Sequence, residues 1–325
     1  MSDHAQFPTL ALILAAGQGT RMRSTLPKVM HEVGNRPLLG HVLATALEAG
    51  VERLAVVLGP DSPAAADYVA RVAPQAQTFV QHERLGTAHA VLAARAALAT
   101  QTEGCVLVLF GDSPLIGTQT LARLRQTLID GAAVAVAGFT TAQPGPYGRL
   151  LVEGGHLRAI REAKDASPAE LAINLCNGGV MGFRAEHCLA LLERIGNANA
   201  QGEFYLTDAV ELANAAGLAV VAVEVEEEEI MGVNDREQLH AAEQVFQRRR
   251  RRKAMREGVT LAAADTVFFS ADTELAADVK VEPCVVFGPG VRVGQGARVA
   301  AFSRLENIRI EAAERARKPV HDLAS

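Results

Sequence analysis

From Phe269 onward every sixth residue is large and apolar: Phe269, Leu275, Val281, Phe287, Val293, Val299 and Leu305 share one phase. The residues that follow them are Ser270, Ala276, Glu282, Gly288, Gly294, Ala300 and Glu306, most of them small. An apolar residue pointing into a narrow prism, with a small one beside the corner, is the hexapeptide signature of a left-handed parallel β-helix. Three hexapeptides make one coil, so this pattern describes little more than two. The next inward positions in the same phase are Glu311 and Arg317, both charged. The sequence therefore predicts a prism over 258–310 and a tail over 311–325, helical or disordered.

Ahead of the prism the texture is different. Residues 10–230 alternate short apolar runs (10–15, 54–58, 78–80, 105–110, 134–139 and 180–183) with helical stretches at 37–48, 63–71, 87–99 and 121–130. Near-continuous apolar runs are what parallel strands buried on both faces require. Their alternation with helices predicts an α/β domain over 1–233, a Rossmann-like, mostly parallel sheet with right-handed crossovers. Ligands in such sheets bind beyond the carboxyl ends of the strands, which directs attention to the loops after Ala15, Val80 and Phe110. Residues 235–256 contain no Gly or Pro and read as one long helix, linking the two parts over 234–257. Its run of six basic residues at 248–253 is expected to be a solvated face with cations all round.

Composition removes several classes of function. A length of 325 residues allows about two domains. Lys+Arg total 32 against Asp+Glu 37, a net charge of −5, where a duplex-binding protein would carry a basic surplus. Trp is absent and aromatics are 4%, so stacking platforms for single strands are scarce. Cys105, Cys176, Cys188 and Cys284 lie far apart with no CxxC, which argues against a disulfide framework or a structural zinc and for a reducing compartment. No apolar stretch reaches ~18 residues and the N-terminus lacks a signal-peptide pattern, so no membrane insertion and a cytoplasmic location are expected.

Chemistry concentrates in a few strings. Leu14-Ala15-Ala16-Gly17-Gln18-Gly19-Thr20-Arg21-Met22 begins as the first strand ends, and Pro27-Lys28 follows. Its glycines let backbone N–H groups approach phosphate oxygens, and Arg21 and Lys28 add charge. Met22 occupies the third glycine position of a dinucleotide fingerprint, and no Gly-Lys-Ser/Thr follows, so neither a Rossmann dinucleotide site nor a Walker A loop fits. Asp112, after the strand at 105–110, can hold a hard cation against phosphate oxygens or simply cap the turn before Pro114. Asn234 and Asp235 precede the long helix, and either can cap it. Gln81 carries a donor and an acceptor on one amide, which suits the N3–H and O4 of uracil; the plainer alternative is a solvent-facing polar residue. Thr87 begins a helix, where N–H groups are free. His31, His41, His82 and His89 show no metal-ligand spacing and read as structural. No GxSxG occurs and no cysteine has a nucleophile's context, in keeping with direct transfer.

The string from Leu14 to Lys28 resembles the sugar-nucleotide pyrophosphorylases, nucleotidyltransferases that join a nucleoside triphosphate to a sugar 1-phosphate. Further blocks extend the resemblance in order: Gln81–Ala90, Leu109–Leu115, Tyr147-Gly148-Arg149, Glu162–Asp165, Asn177-Gly178-Gly179, Gln201–Asp208 and Gly232–Asp235. With the hexapeptides behind them, the chain is most similar to bifunctional members that pair an N-acetylglucosamine-1-phosphate uridylyltransferase with a glucosamine-1-phosphate acetyltransferase. The resemblance implies a uridylyltransferase domain over 1–233 whose substrates are UTP and N-acetylglucosamine 1-phosphate and whose products are UDP-N-acetylglucosamine and pyrophosphate. Such a product feeds peptidoglycan and lipopolysaccharide precursor synthesis. The cofactor implied is Mg²⁺, held by Asp112 and Asn234, with Asp235 the rival ligand. Catalysis falls to Arg21, Lys28 and Asp112. The backbone of Leu14, Ala15 and Gly17 reaches the nucleoside; Gln81 and Gly86 define the uracil pocket beside Thr87; Gly148, Glu162 and Asn177 meet the sugar. Read alone, Glu162 is a surface charge beside Arg161 and Lys164. Two positions depart from the family pattern: Phe110, where Tyr is often seen, and Gly178, where Thr is common. A homotrimer through the prism, weakened by its shortness, is implied. Acetyl transfer is expected to be absent, because the further coils that carry it are missing. The alternatives are another substrate such as glucose 1-phosphate, or a non-catalytic sugar-nucleotide-binding subunit.

Overall fold

Seven consecutive residues with the sequence TLALILA form the strand β1, Thr9–Ala15, and all seven are buried. The computed structural model describes residues 7–312 and the strand at 315–316. Its strands continue with the two-residue pair β2 (Glu32–Val33) and β3 (Arg36–Pro37), then β4 (Arg53–Leu58), β5 (Gln77–Val80), β6 (Cys105–Phe110), β7 (Val134–Thr140), β8 (Arg149–Glu153), β9 (His156–Arg161), β10 (Leu175–Arg184) and β11 (Val220–Glu224). The helices between them are α1 (Leu38–Glu48), α2 (Pro63–Val72), α3 (Thr87–Ala93), α4 (Arg95–Ala99), α5 (Thr118–Ile129), α6 (Pro168–Leu171), α7 (Ala185–Leu192) and α8 (Ala209–Ala215). The chain divides into two compact units. One runs to Met30 and from Leu38 to Asp235; the other combines His31–Pro37 with the chain from Arg236 onward.

The first unit is one twisted sheet in the order β11-β7-β10-β6-β1-β4-β5, with the β8–β9 hairpin attached to β10. β1 pairs in parallel with β4 and β6, β4 with β5, and β11 with β7. Both faces are covered. Leu10, Leu12 and Leu14 of β1 belong to one apolar cluster, and Ala11, Ile13 and Ala15 to another. That double burial is why the strand reads as an unbroken apolar run. The run at 180–183 is a different case. It lies within the ten-residue β10, antiparallel to both β6 and β7. Parallel neighbours need a crossover helix, and between β7 and β10 the chain has only a hairpin and the four-residue α6. The helix expected over 87–99 is split into α3 and α4 at Ala94.

In the second unit α9 (Arg236–Arg256) is followed by nine strands of two residues: β12 (Thr260–Leu261), β13 (Glu274–Leu275), β14 (Lys280–Val281), β15 (Val286–Phe287), β16 (Arg292–Val293), β17 (Arg298–Val299), β18 (Arg304–Leu305), β19 (Arg309–Ile310) and β20 (Arg315–Ala316). They form three parallel ladders, β12-β14-β17-β20, β13-β16-β19 and β15-β18. The chain visits the three in turn, which makes a three-sided parallel coil. Six of the seven predicted inward residues are buried, and Leu275 is partly buried against them. A second inward column runs two residues earlier in each hexapeptide: Val267, Thr273, Val279, Val285, Val291, Ala297 and Ser303 are all buried.

The predicted end of the prism is wrong. Leu275 pairs with Val293, eighteen residues on, but Val293 pairs with Ile310, seventeen residues on. One residue is missing from that coil. Ile310 takes the inward place and Glu311 is exposed. The ladder then continues, β20 pairing Arg315 with Arg298 and Ala316 with Val299. The strand at 315–316 corrects the expectation of a tail from 311; Arg317 and the rest of that tail lie outside the described residues.

The basic run of α9 is also not a uniformly solvated face. Arg251 is buried, its Nε donating to the Val267 carbonyl at 2.9 Å and its Nη2 to the Asp265 carbonyl at 3.2 Å. Its guanidinium lies 5.5 Å from the Phe268 ring centroid, and that of Arg250 5.9 Å from Phe269. Arg252 and Lys253 alone of the six are exposed. The β2–β3 turn docks on the same helix: Gly34 donates its N–H to Glu243 and accepts from the Ala271 N–H. Gly34 has φ +53°, and a Cβ there would sit 2.2 Å from the Phe246 ring, so the turn admits only glycine. Among the described residues no helix is long and apolar enough to cross a membrane.

Candidate active site

The carboxyl ends of β1, β5 and β6 open into a cavity of about 280 Å³. It is lined by Leu14, Ala15, Ala16, Gly17, Lys28, Val29, Gln81, Arg84, Gly86, Thr87, Ala90, Phe110, Asp112 and Glu203. All three loops singled out in the sequence therefore meet there. Gly19 closes the first of them with φ +63°, and a Cβ on it would come within 2.5 Å of Lys28 Cβ. The glycine lets the loop fold back over the lysine.

At one end Lys28 donates its ammonium to the Asp112 carboxylate and to Asn234 Oδ1, the latter at 3.1 Å. The Lys28 and Asp112 side chains are 11% and 18% exposed, so the pair is largely withdrawn from water. The Val233 N–H donates to the Asp112 carbonyl at 2.9 Å, tying the segment before α9 to the loop after β6. Asn234 thus faces the cavity's cation, while Asp235 stands immediately before the first residue of α9. The oxygens of Asp112 and Asn234 converge on one positive charge, which is the donor set a hard divalent cation accepts. Among the described residues no group of three or more His, Cys, Asp or Glu could hold a metal. An ion at this place would complete its shell with phosphate and water oxygens.

Arg21 is not brought into the cavity. It lies exposed on the 3-10 turn Thr20–Met22, which Met22 anchors by burial. Six lining residues were not among the expected site residues, Ala16, Val29, Arg84, Ala90, Phe110 and Glu203, and two of these, Arg84 and Glu203, are charged. Arg84 donates from Nε to the Ala16 carbonyl at 3.0 Å, holding the first loop to the second. Its signal was its place between Gln81 and Gly86, where a cation has no core to fill.

Gln81 is not a solvent-facing residue: it is 5% exposed. Its Nε2 lies 3.4 Å from the Gly86 carbonyl and 3.3 Å from His89 Nδ1. Gly86 has φ +112°, and a Cβ there would be 2.5 Å from the Phe204 carbonyl. Phe204 bridges this loop, donating to Leu85 at 2.7 Å and accepting from Ala88 at 2.9 Å, while Thr87 Oγ1 accepts from Leu206 N–H. The 201–208 block is therefore the clasp of the Gly86 turn. Of the other histidines, His31 and His41 are buried and His82 is exposed.

Gly148, Glu162 and Asn177 do not line this cavity, but two of them are joined. Asn177 donates its N–H to Gly148 at 2.8 Å, and its Oδ1 accepts from Gly179. A bulge in β10 begins at Asn177, and a Cβ on Gly179 within it would sit 3.2 Å from the Phe110 ring. A side chain on Gly178 would meet the Ala137 carbonyl at 2.9 Å and Ile230 at 3.0 Å, so this backbone has no space for the Thr common in the family. Glu162 is not the surface charge it resembles in isolation. It accepts from the Thr207 hydroxyl at 3.1 Å, while Arg161 pairs with Glu170 and Glu211 instead. Burial raises the Glu162 carboxyl above its ordinary range, the Thr207 bond opposes this, and the charges of Asp208 and Asp165 reinforce it. Burial also pushes the Cys105 and Cys188 thiols up to about 11 and about 12, and neither lines the cavity.

Residues 11–177 match the family model of the MobA-like NTP transferase domain. The chain is 57% identical over 302 residues to the bifunctional protein GlmU of Azorhizobium caulinodans, 93% of this chain and 67% of that protein. It is 55% identical over 311 residues to the bifunctional protein GlmU of Xanthobacter autotrophicus, covering 96% and 68%, and 53% identical over 302 residues to that of Rhodopseudomonas palustris, covering 93% and 67%. The chain spans about two thirds of the length of these relatives.

Proposed function

The chain belongs to the GlmU family of nucleotidyltransferases, and on that premise we propose that it transfers the uridylyl group of UTP to N-acetylglucosamine 1-phosphate, giving UDP-N-acetylglucosamine and pyrophosphate. The observation that carries this reading is the meeting of Lys28, Asp112 and Asn234 at the cavity formed by the ends of β1 and β6. A sugar phosphate oxygen attacks the α-phosphorus in line, and the bond to the bridging oxygen of pyrophosphate breaks. The attacking group is an anion at neutral pH, so no strong base is required, in keeping with a cavity lined by no histidine or cysteine.

Lys28 neutralises charge where the α-phosphate and sugar phosphate meet, and the backbone at Ala15 and Gly17 carries the nucleoside. Arg21, exposed above the first loop, meets the departing β- and γ-phosphates. Gln81 and Gly86 hold the uracil beside Thr87; Gly148, Glu162 and Asn177 hold the sugar. Asp112 and Asn234 would hold Mg²⁺, which when bound supplies charge neutralisation on the phosphate oxygens. The prism, coiling in the left-handed sense, joins three copies into a trimer of modest strength, which light scattering at tens of micromolar checks; a strictly monomeric mass removes that part. No acetyl transfer is assigned to the coils at 258–316, and the protein works in the cytoplasm. Pyrophosphate release, measured with Mg²⁺ over a panel of triphosphates and sugar 1-phosphates, should be fastest for UTP with N-acetylglucosamine 1-phosphate. A faster rate with glucose 1-phosphate, or none with any pair, overturns the assignment.

A further inference from the structure

Two neighbours hold the Gln81 amide, and together they fix which way it faces. Its Nε2 lies 3.4 Å from the Gly86 carbonyl oxygen and 3.3 Å from His89 Nδ1. A carbonyl oxygen can only accept, so the amide atom facing Gly86 is the NH2 group. The second hydrogen of that group then meets Nδ1, which has to accept it. His89 therefore presents Nδ1 as an acceptor, the arrangement in which the ring carries a proton on Nε2. Both amide hydrogens are engaged, and Oε1 is the atom left for a ligand in the cavity that Gln81 lines. His89 stands on α3 outside the cavity lining, its ring centroid 6.4 Å from that of Phe204.

We propose that His89 is a positioning residue for nucleobase choice. By accepting from Gln81 it keeps Oε1 turned outward, so the pocket offers an acceptor at that edge. A base with an imide N–H there, such as uracil, is taken. Cytosine, whose N3 is itself an acceptor, is turned away. The amide thus reads the imide N–H alone, because its NH2 group already has two partners. Without His89 only the long bond to Gly86 opposes rotation, and an outward NH2 suits cytosine. The proposal rests on the uridylyltransferase reading of the same cavity.

The test is kcat/KM of the full chain with UTP and with CTP, at saturating N-acetylglucosamine 1-phosphate. His89→Ala should lower the UTP-over-CTP preference by about tenfold or more, through KM for UTP with kcat little changed. His89→Asn, whose Oδ1 replaces Nδ1 as acceptor, should keep the preference within about threefold. An unchanged preference in His89→Ala, while Gln81→Ala loses it, overturns the role of His89 and leaves the uracil reading standing. An unchanged preference in Gln81→Ala overturns the uracil reading and this proposal with it. Should His89→Ala not fold, nitrogen-15 spectra of the unaltered chain at neutral pH decide: a bare Nδ1 with a protonated Nε2 is expected, and a protonated Nδ1 overturns the proposal.

Discussion

Lys28 and Asp112 form the tightest charged pair of the cavity, and their separate removal should give different kinetic signatures. Asp112→Ala leaves the Lys28 ammonium with only Asn234 and takes a carboxylate from the proposed cation site. A loss on the order of 10³-fold in kcat is expected, with the fold retained. Lys28→Ala should lower kcat more than it weakens UTP binding, since charge grows towards the transition state. Steady-state kinetics and nucleotide titrations separate the two; a Lys28→Ala variant altered only in KM for UTP would make that lysine a ground-state binder. Glu162 supplies a pH test. Its folded carboxyl binds a proton more readily than the unfolded one, so its contribution favours the fold in acid and is lost as pH rises through the raised value. Glu162→Gln keeps an acceptor for Thr207 and removes the buried charge. Its Tm should exceed the parent's at pH 8, and the gap should close as pH falls towards the ordinary 4.5 of a glutamate; a gap that widens in acid contradicts the sign. At this scale the sequence was informative where a motif fixed both residue and neighbours, as with Lys28 and Asp112. It was blind to Thr207 beneath Glu162, to His89 behind Gln81 and to Arg84 across Ala16. Those contacts join residues whose proximity arises only when the loops close.

At the scale of elements, a basic run can look like surface and still be partly interior. Arg251 supplies the donors for the Val267 and Asp265 carbonyls under the first turn of the coil, whereas Lys253 makes only an exposed pair with Glu257 at 3.8 Å. Arg251→Ala leaves those carbonyls without a donor and should cost about 2–4 kcal/mol. Lys253→Ala should stay within about 0.5 kcal/mol. Urea unfolding followed on the helix and prism checks both; equal midpoints for the two variants would return the whole run to the solvated face that the sequence suggested. The prism itself was legible because an inward residue every six leaves a period on the sequence. The second inward column was hidden by its mixed chemistry, Thr273 and Ser303 standing among valines. The seventeen-residue coil was hidden because one deletion shifts the phase: counting on by six lands on Glu311, while the backbone places Ile310 inside. In the α/β sheet, burial on both faces made β1, β4 and β6 plain. The antiparallel β10 could not be told from a parallel strand, since apolarity records burial and not direction.

Across the whole chain, the segment His31–Pro37 belongs with the residues that begin more than two hundred positions later. Seven residues with two buried strand positions carry no sign of so distant a partner. Domain boundaries drawn along the sequence therefore miss an excursion of this kind. The division into two units also separates the chemistry. The cation pair, the Gln81 pocket and the sugar-side residues all lie within the first unit. The second unit presents outward rows such as Glu274 and Arg292, or Glu282 and Arg298, whose charges are already paired with one another. Acetyl transfer to an amino sugar needs a base for the amine and a groove for the thioester's carrier. From residue 258 to 316 the coil contains no histidine. Cys284 is exposed there, but a lone thiol, even if it exchanged with the thioester, would give no product on the sugar. The 325-residue chain, supplied with glucosamine 1-phosphate and acetyl-coenzyme A, should release no free coenzyme A above a control without enzyme, while the same preparation releases pyrophosphate from UTP and N-acetylglucosamine 1-phosphate. Thiol release accompanied by N-acetylated sugar phosphate would place an acetyl-transfer site on these coils and defeat the proposal. Thiol release without that product would identify Cys284 as the reacting group, and Cys284→Ser should then abolish it.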